Sequence, residues 1–304
     1  MTKTASESSP KLFSSRNLII GAVAWALLAL AFFLFFSVTL PGENLPQWYS
    51  VGTSVLETTS YLWAAVVCFR NWQSNQILSG RTVWLLIGSG MLCYGIGNLF
   101  FSYWEIGLGI EPDVSPGDLF YIVNYVSLAI GLLLAVLPRR LNLELWQWLT
   151  IGGIGLAGTA FAFSPLVSGE AVCPEKAEAV VSNVPAWATQ IETVLSPLSN
   201  YILPVYTVGD IVLLVLASAL LLAFWGGRSA QSWRMIAAAS ISLYIADMWF
   251  KYATTNICNY ESGSLLEVFW IFSGVLFGIG AVLEYDLSTR SRRSSRRRSS
   301  SAAN

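Results

Sequence analysis

The sequence predicts an all-α, polytopic integral membrane helix bundle of about eight transmembrane helices in two parallel pseudo-repeats. Composition is the first observation behind this: 55% of the 304 residues are hydrophobic and only 12% charged. Together with a mean hydropathy of +0.58, this is too apolar for an ordinary soluble domain. The second is the recurrence of apolar runs near the twenty residues needed to cross hydrocarbon. The third is a match of the chain to itself at a fixed offset.

Taken in order, the predicted spans are 18–40, 51–69, 83–103, 118–137, 146–164, 205–225, 234–252 and 264–284. Each is read as a helix because lipid leaves only helices or closed barrels able to satisfy every backbone amide. The first, from Leu18 to Leu40, is too long for the apolar region of a cleaved signal and has no small-residue cleavage site, so it is read as retained. The second opens "VGTSVLETTSY" and is the least distinct. The fourth follows "SPGD", with Pro116 suited to a first helical position.

Charge fixes the expected orientation, because basic segments resist translocation. Lys3, Lys11, Arg16, Arg70, Arg81, Arg139, Arg140, Arg228, Arg234 and six arginines from Arg290 to Arg298 fall on one side; Lys176 and Lys251 fall on the other. Both termini are therefore expected in the cytoplasm. The opposite loops are acidic, with Glu43, Glu105, Glu111, Asp113, Glu170, Glu175, Glu178, Glu192 and Glu261. The organisation that follows is a cytoplasmic segment 1–17, a transmembrane domain 18–284 and a basic, disordered cytoplasmic tail 285–304. Two repeat halves, about 51–137 and 205–284, flank an outer loop 166–204 in which "PAWATQIETVLSPL" can form a short amphipathic surface helix or a plain connector. Cys173 and Cys258 both fall in outer loops, where oxidation is permitted, and are read as a disulfide; two unrelated thiols are the alternative.

An offset of 149 residues aligns 84–131 with 233–280 without gaps. Trp84 falls on Trp233, Phe101 on Phe250, Tyr103 on Tyr252, Phe120 on Phe269 and Gly131 on Gly280. Asn98 meets Asp247, and Asp118 meets Glu267. Helices four apart run the same way, so the halves are related by an axis along the membrane normal, as in some transport folds.

Few residues carry chemistry. Histidine is absent, which removes imidazole metal sites and Ser-His-Asp triads, and no Walker-type, GxSxG or CxxC motif occurs. No catalytic residue, metal or cofactor is assigned. What remains are carboxylates at recurring positions: Ser54 with Glu57, Ser115 with Asp118, Thr207 with Asp210 and Ser264 with Glu267. Each pair has the three-residue spacing of a capping box and opens a predicted helix running inward from the outer face, where the helix dipole favours an anion. Capping is thus one reading of all four. Asn98 and Asp247 fall inside their helices, where an ionisable group faces a bundle interior or a water cavity. An i, i+4 ion pair with Lys251 is the alternative for Asp247. Glu57, Asn98, Asp118, Asp210, Asp247 and Glu267 are expected at one level of the outer half, lining a polar cavity for a cation, an amine or exchangeable protons.

The stretches "SPGDLFYIVNYVSLAIGLLL", "YTVGDIVLLVLASALLLAFWGGRSAQSW" and "SLYIADMWFKY" resemble the membrane-embedded N-terminal sensory modules of bacterial diguanylate cyclases and related signalling proteins, over roughly 80–285. The resemblance implies a module that senses a ligand or membrane state and relays it to a cytoplasmic output, in a bacterial inner or thylakoid-type membrane. Only about twenty residues follow the last span, so a separate cytoplasmic signalling partner is the expectation. The tail "STRSRRSSRRRSSSAAN" offers arginines to anionic lipid, about 1 kcal/mol each near the leaflet; it is equally read as a solvated topology anchor. Without aromatic or fold support it is not read as a nucleic-acid site. A small transporter of a cation, amine or proton-coupled solute is the second reading, and a membrane scaffold or assembly factor the third.

Overall fold

The computed structural model describes residues 14–38, 45–110, 114–137, 143–164, 184–224, 230–258 and 260–301. All regular structure among them is helical. The helices are α1 (Ser15–Phe36), α2 (Gln47–Gln73), α3 (Arg81–Ser102), α4 (Gly117–Val136), α5 (Leu145–Ala162), α6 (Ala186–Leu195), α7 (Ser199–Ala223), α8 (Ala230–Asn256) and α9 (Val268–Ser301). Helix thus stands over every stretch read as a span. Five stretches, Ser15–Phe36, Arg81–Gly107, Gly117–Val136, Ala186–Ala223 and Leu265–Arg290, are long and apolar enough to cross a membrane.

Local chemistry explains most boundaries. Ser14 Oγ accepts from Asn17 N at 3.3 Å to start α1. Glu144 and Gln147 form a reciprocal capping box on α5. Gly80 precedes α3 at φ 98°, a conformation that side chains with a Cβ rarely adopt. The "PAWATQIETVL" stretch is the helix α6, joined through a 3-10 turn at Ser196–Leu198 to α7. One expectation is corrected here. Helix α9 continues to Ser301 instead of ending near 284, with Arg290 Nε paired to Asp286 at 2.9 Å across one turn, so most of the stretch read as a disordered tail is helical. The glycine spacing of "GIGLAG", 153–158, matches a dinucleotide loop but lies wholly within α5 with no strand before it. There Gly158 admits Tyr244, whose hydroxyl donates to the Gly158 carbonyl at 2.9 Å.

Six helices close a ring. In the order α2, α3, α4, α7, α8, α9, each packs on the next, and α9 returns to α2. Helix α1 lies outside against α9, and α5 outside against α7. On α1 only Ala22, Ala29 and Phe33 are buried, whereas Leu27, Leu28, Leu34 and Phe35 stand exposed, as suits a lipid-facing helix. The ring interior holds Trp84, Trp233, Tyr61, Phe277, Ile87, Met91, Leu128 and Leu132, all fully buried. Trp84 meets Trp233 at a tilt, 6.0 Å between centroids, and Phe224 stacks on Trp233 at 5.5 Å, and the three fill one end. The other end is polar.

Close helix approach depends on glycine where α3 meets α4. A Cβ on Gly117 would lie 2.6 Å from the Gly97 carbonyl oxygen, and one on Gly97 would lie 3.0 Å from the Gly117 carbonyl. We expect Gly117→Ala to cost about 1–3 kcal/mol through overpacking. Gly21→Ala, with nothing within 4 Å of the added carbon, is expected to be neutral or to stabilise by up to about 1 kcal/mol. Thermal unfolding of the two variants in the same detergent checks the contrast, and equal melting temperatures would count against the packing described.

Candidate functional site

Within the polar end of the ring, three helices of the first half build one wall. Glu57 lies well inside α2, and its Oε1 accepts from the Tyr94 hydroxyl of α3 at 2.8 Å. The Tyr94 ring stacks on Tyr61 at 3.7 Å and meets Tyr121 of α4 edge-on at 5.1 Å. Asn98 is 5% exposed and donates to Thr58 Oγ1 at 2.8 Å. It ties α2 to α3 and makes no contact with the carboxylates.

Across the ring, the Tyr125 hydroxyl of α4 lies 2.6 Å from Asp210 Oδ1 of α7 and 2.7 Å from Asp247 Oδ2 of α8. Trp270 Nε1 donates to Asp247 Oδ1 at 2.7 Å. The Asp210 and Asp247 carboxyl groups thus share the Tyr125 hydroxyl. Asp118 accepts from the Ser115 amide at 2.6 Å and from the Tyr206 hydroxyl at 2.5 Å. Tyr121 lies in the field of Glu57, Asp118 and Asp247 together, and Glu57 in that of Asp247 and Glu267. Five carboxyl groups therefore lie within one another's fields at this end, and Asn98 bonds to Thr58 beside Glu57.

Burial divides the five. Asp210 and Glu267 are 2% and 3% exposed. Glu57, Asp118 and Asp247 sit among the ring helices yet keep part of their surface accessible. Among the described residues none of the five meets a Lys or Arg in an ion pair. Lys251, the partner considered for Asp247, turns its Nζ to the Ala162 carbonyl at 2.9 Å and to Thr207 Oγ1 at 3.2 Å. The i, i+4 pair is replaced by hydrogen bonds from Tyr125 and Trp270. No group of three His, Cys, Asp or Glu side chains among the described residues is placed to hold a metal ion.

Two of the four pairs stand at a helix start, where the acid rather than the serine accepts an upstream amide. Ser115 and Asp118 bond to each other at the start of α4, where Ser115 Oγ also accepts from Gly117 N at 3.1 Å; Pro116 is the cap residue rather than the first of the helix. Glu267 Oε2 accepts from Gly263 N at 2.7 Å and Ser262 Oγ at 2.9 Å, and Oε1 from Tyr260. Burial, with the Glu267 charge adding to it, pushes the Tyr260 phenol well above its usual range, so it remains a donor. Gly263, at φ 121°, lets its carbonyl accept from Tyr49 at 2.6 Å. Ser54 and Thr207 cap nothing. Their helices begin earlier, at Gln47 and Ser199, and residues three apart also share one face of a continuous helix. Ser54 Oγ instead meets Ser102 Oγ at 2.5 Å, and Thr207 Oγ1 reaches the Leu203 carbonyl at 3.3 Å.

Sequence reasoning overlooked the aromatic lining, Tyr61, Tyr94, Tyr121, Tyr125, Tyr206 and Trp270. A signal was present: Glu57 and Tyr61, Tyr94 and Asn98, Tyr121 and Tyr125, and Tyr206 and Asp210 each stand four apart, one polar stripe per helix. Cys258 is disulfide-bonded, and Cys68 and Cys93 are free; Cys173, the partner expected, lies outside the described residues. No family model matches the chain, and neither a curated protein nor a solved structure matches it.

Removing the Glu267 acceptor strands a buried amide and two hydroxyls. We expect Glu267→Ala to lower stability by about 2–4 kcal/mol, against less than about 1 kcal/mol for Ser54→Ala, which caps no helix. Denaturation in mixed micelles measures both.

Proposed function

We propose that this chain is a multi-pass membrane module that binds a small cationic ligand at these carboxylates and relays occupancy to a partner. One observation carries the reading. Glu57 on α2 lies in the field of Asp247 on α8, both keep accessible surface, and among the described residues neither is paired with a basic side chain. An unpaired carboxylate deep in a membrane protein is costly to keep, and tyrosine and tryptophan rings around it favour a cation through their negative faces. The orientation read from Lys and Arg puts the acids toward the outside and both termini in the cytoplasm.

The internal duplication supports a site formed between two halves. Gly131 faces Ile87 and the Val83 carbonyl, and Gly280 faces Ile236 and the Ser232 carbonyl, each contact displaced by the same 149 residues. In the ring, α2, α3 and α4 are followed by α7, α8 and α9, so the junction of α4 with α7 answers that of α9 with α2. Glu57 and Asp210 then occupy matching helices. The sensory role rests on the resemblance of the α4, α7 and α8 sequences to sensory modules.

Transport of a cation is the second reading, favoured by the two parallel halves around a polar interior. The purified full-length protein in neutral-lipid nanodiscs separates these outcomes. A panel of small ammonium ions is expected to raise its melting temperature by several degrees, an effect abolished in Asp247→Asn, without uptake into proteoliposomes. Absence of any stabilisation across the panel would defeat the binding reading, and saturable uptake would favour the transporter.

A further inference from the structure

Helix α1 is seated mainly on α9, and an open apolar groove runs beside that seam. Ala22, Ala29 and Phe33 of α1 are buried in one cluster with Val268, Ile271, Val275 and Ile279. Between the seam and α8 lies a groove of about 510 Å³, walled by Val23 and Leu27 of α1 and by Ala238, Ile241 and Ile245 of α8, over α9, whose Phe272 also lines it. That volume falls in the range of small-molecule sites. Ser242 brings the one side-chain hydroxyl to the lining, and its Oγ already donates to the Phe269 carbonyl at 2.8 Å. Apolar contact is therefore what the groove offers an occupant. Its α9 lining runs from Phe269 to Ile279, about 15 Å at the helical rise and so about half of a bilayer core, the reach of an acyl chain in one leaflet.

The two walls run in the same direction. The last turns of α1 meet the polar end of the bundle, where Phe32 and Phe33 pack on Tyr49 at 5.2 and 6.0 Å and the Tyr49 hydroxyl donates to the Gly263 carbonyl. Helix α8 starts at the opposite end, with Trp233 against Trp84, and reaches Asp247 about four turns later. Followed back toward that start, the α8 wall of Ile245, Ile241 and Ala238 continues to Arg234, and the α1 wall of Leu27 and Val23 continues through Ile20 to Arg16. Both sets keep the i, i+4, i+7, i+11 spacing of one helix face. Ile20, Val23 and Leu27 are 55%, 44% and 61% exposed. Arg16 is exposed with them, and Arg234 is half-buried. An arginine thus ends each wall at the same end of the groove, about 10 Å along α1 from Val23 and about 6 Å along α8 from Ala238.

Two guanidinium groups so placed answer an anion. Each carries five N–H donors, so an arginine that bonds within the protein still keeps donors for a phosphate. The starts of α1 and α8 bring the positive ends of two helix dipoles to the same level. Glu284, the acid on α9 beyond Ile279, is 2% exposed and out of a headgroup's reach. A second copy of the chain laid in parallel against this face would set its own arginines beside these at equal depth, like charge against like. A free phosphate would leave the apolar walls unused. The match is a molecule with a long hydrocarbon chain and an anionic end.

We propose that this groove seats an acyl chain of an anionic glycerophospholipid, with the headgroup phosphate at Arg16 and Arg234. The lipid links α1, which is held mainly on α9, to α8. The Lys and Arg distribution draws it from the cytoplasmic leaflet.

The test is a titration of the purified, delipidated full-length protein read by native mass spectrometry, with dioleoyl phosphatidylglycerol, dioleoyl phosphatidylcholine and inorganic phosphate as probes. The first phosphatidylglycerol is expected to bind at least about tenfold tighter than the first phosphatidylcholine. Arg16→Gln with Arg234→Gln should cut that ratio below about threefold, and Ala238→Phe, which fills the groove, should weaken both lipids by about tenfold or more. Replacing Arg296, Arg297 and Arg298 by Gln near the end of α9 should leave the ratio unchanged, and excess inorganic phosphate should displace nothing. Equal affinity of wild type for the two lipids overturns the proposal. So does a ratio that survives the double variant or collapses in the α9 variant, or lipid binding that Ala238→Phe leaves intact. Displacement by phosphate would make this a free-anion site, and a lipid-free dimer broken by Ala238→Phe would give the groove to a second copy; either result overturns the lipid. Should Arg234→Gln or Ala238→Phe fail to fold, Arg16→Gln on the exposed wall decides: it is expected to lower the ratio about threefold, and an unchanged ratio overturns the site.

Discussion

Five carboxyl groups held at one end of an apolar ring, none of them ion-paired to a Lys or Arg among the described residues, are the constraint that organises this protein. Charge in such a place is stable only if donors are fixed around it or if part of it is neutralised. The groups around them are phenols, indoles and loop amides rather than ammonium or guanidinium groups: Tyr94 at Glu57, Tyr206 at Asp118, the single Tyr125 hydroxyl between Asp210 and Asp247, Trp270 at Asp247, and Gly263 N with Tyr260 at Glu267. Each donor comes from a position fixed by helix packing or a tight turn, so the acids are kept apart and oriented. A lysine in their place would cancel the field that a cationic ligand needs. Lys251, the nearest candidate, is drawn off to the Ala162 carbonyl and to Thr207.

The same constraint explains the shape of the ring. Tyrosines are bulky, and seating five of them beside carboxylates leaves room only if the helices approach closely elsewhere. Gly97 and Gly117 let α3 and α4 nearly touch at the polar end, while Gly131 and Gly280 do so deeper in the bundle. The glycine contacts and the phenol contacts are two parts of one packing solution: closeness between neighbours in the ring, separation across it.

How much of this was legible in the sequence varies with the physics involved. Apolar runs mark helices strongly because lipid demands continuous hydrophobic surface, and helix stands over each predicted run. Helix starts were harder to read. The "SVLE" and "TVGD" stretches share the Ser/Thr-x-x-acid spacing with true caps, yet a polar residue that faces a ring interior has the same i, i+3 neighbours as one that ends a helix. Pro or Gly nearby does not separate the two cases, since Pro116 and Gly263 stand at helix starts whereas Gly52 and Pro204 lie inside continuous helices. The acids themselves were legible because a carboxylate inside or at the start of an apolar run is conspicuous. The tyrosine lining passed unnoticed because in membrane helices an aromatic residue is read first as an interface anchor, and only its four-residue spacing from an acid distinguishes the two roles.

The two ends of the ring differ in a way that bears on sensing against transport. Trp84, Trp233 and Phe224 close the end opposite the acids with packed, fully or nearly fully buried rings, and Ile87, Met91, Leu128 and Leu132 fill the space between. A solute moving through would have to part that aromatic layer and lose the contacts of several of the largest buried side chains at once. A ligand that only binds and leaves by the polar end need disturb none of them. Yet Trp84 and Trp233 sit on α3 and α8, the helices that also carry Tyr94 and Asp247. Any tilt of α3 against α8 on ligand binding would therefore be felt at the packed rings, so a closed far end is a liability for passage and an asset for relay.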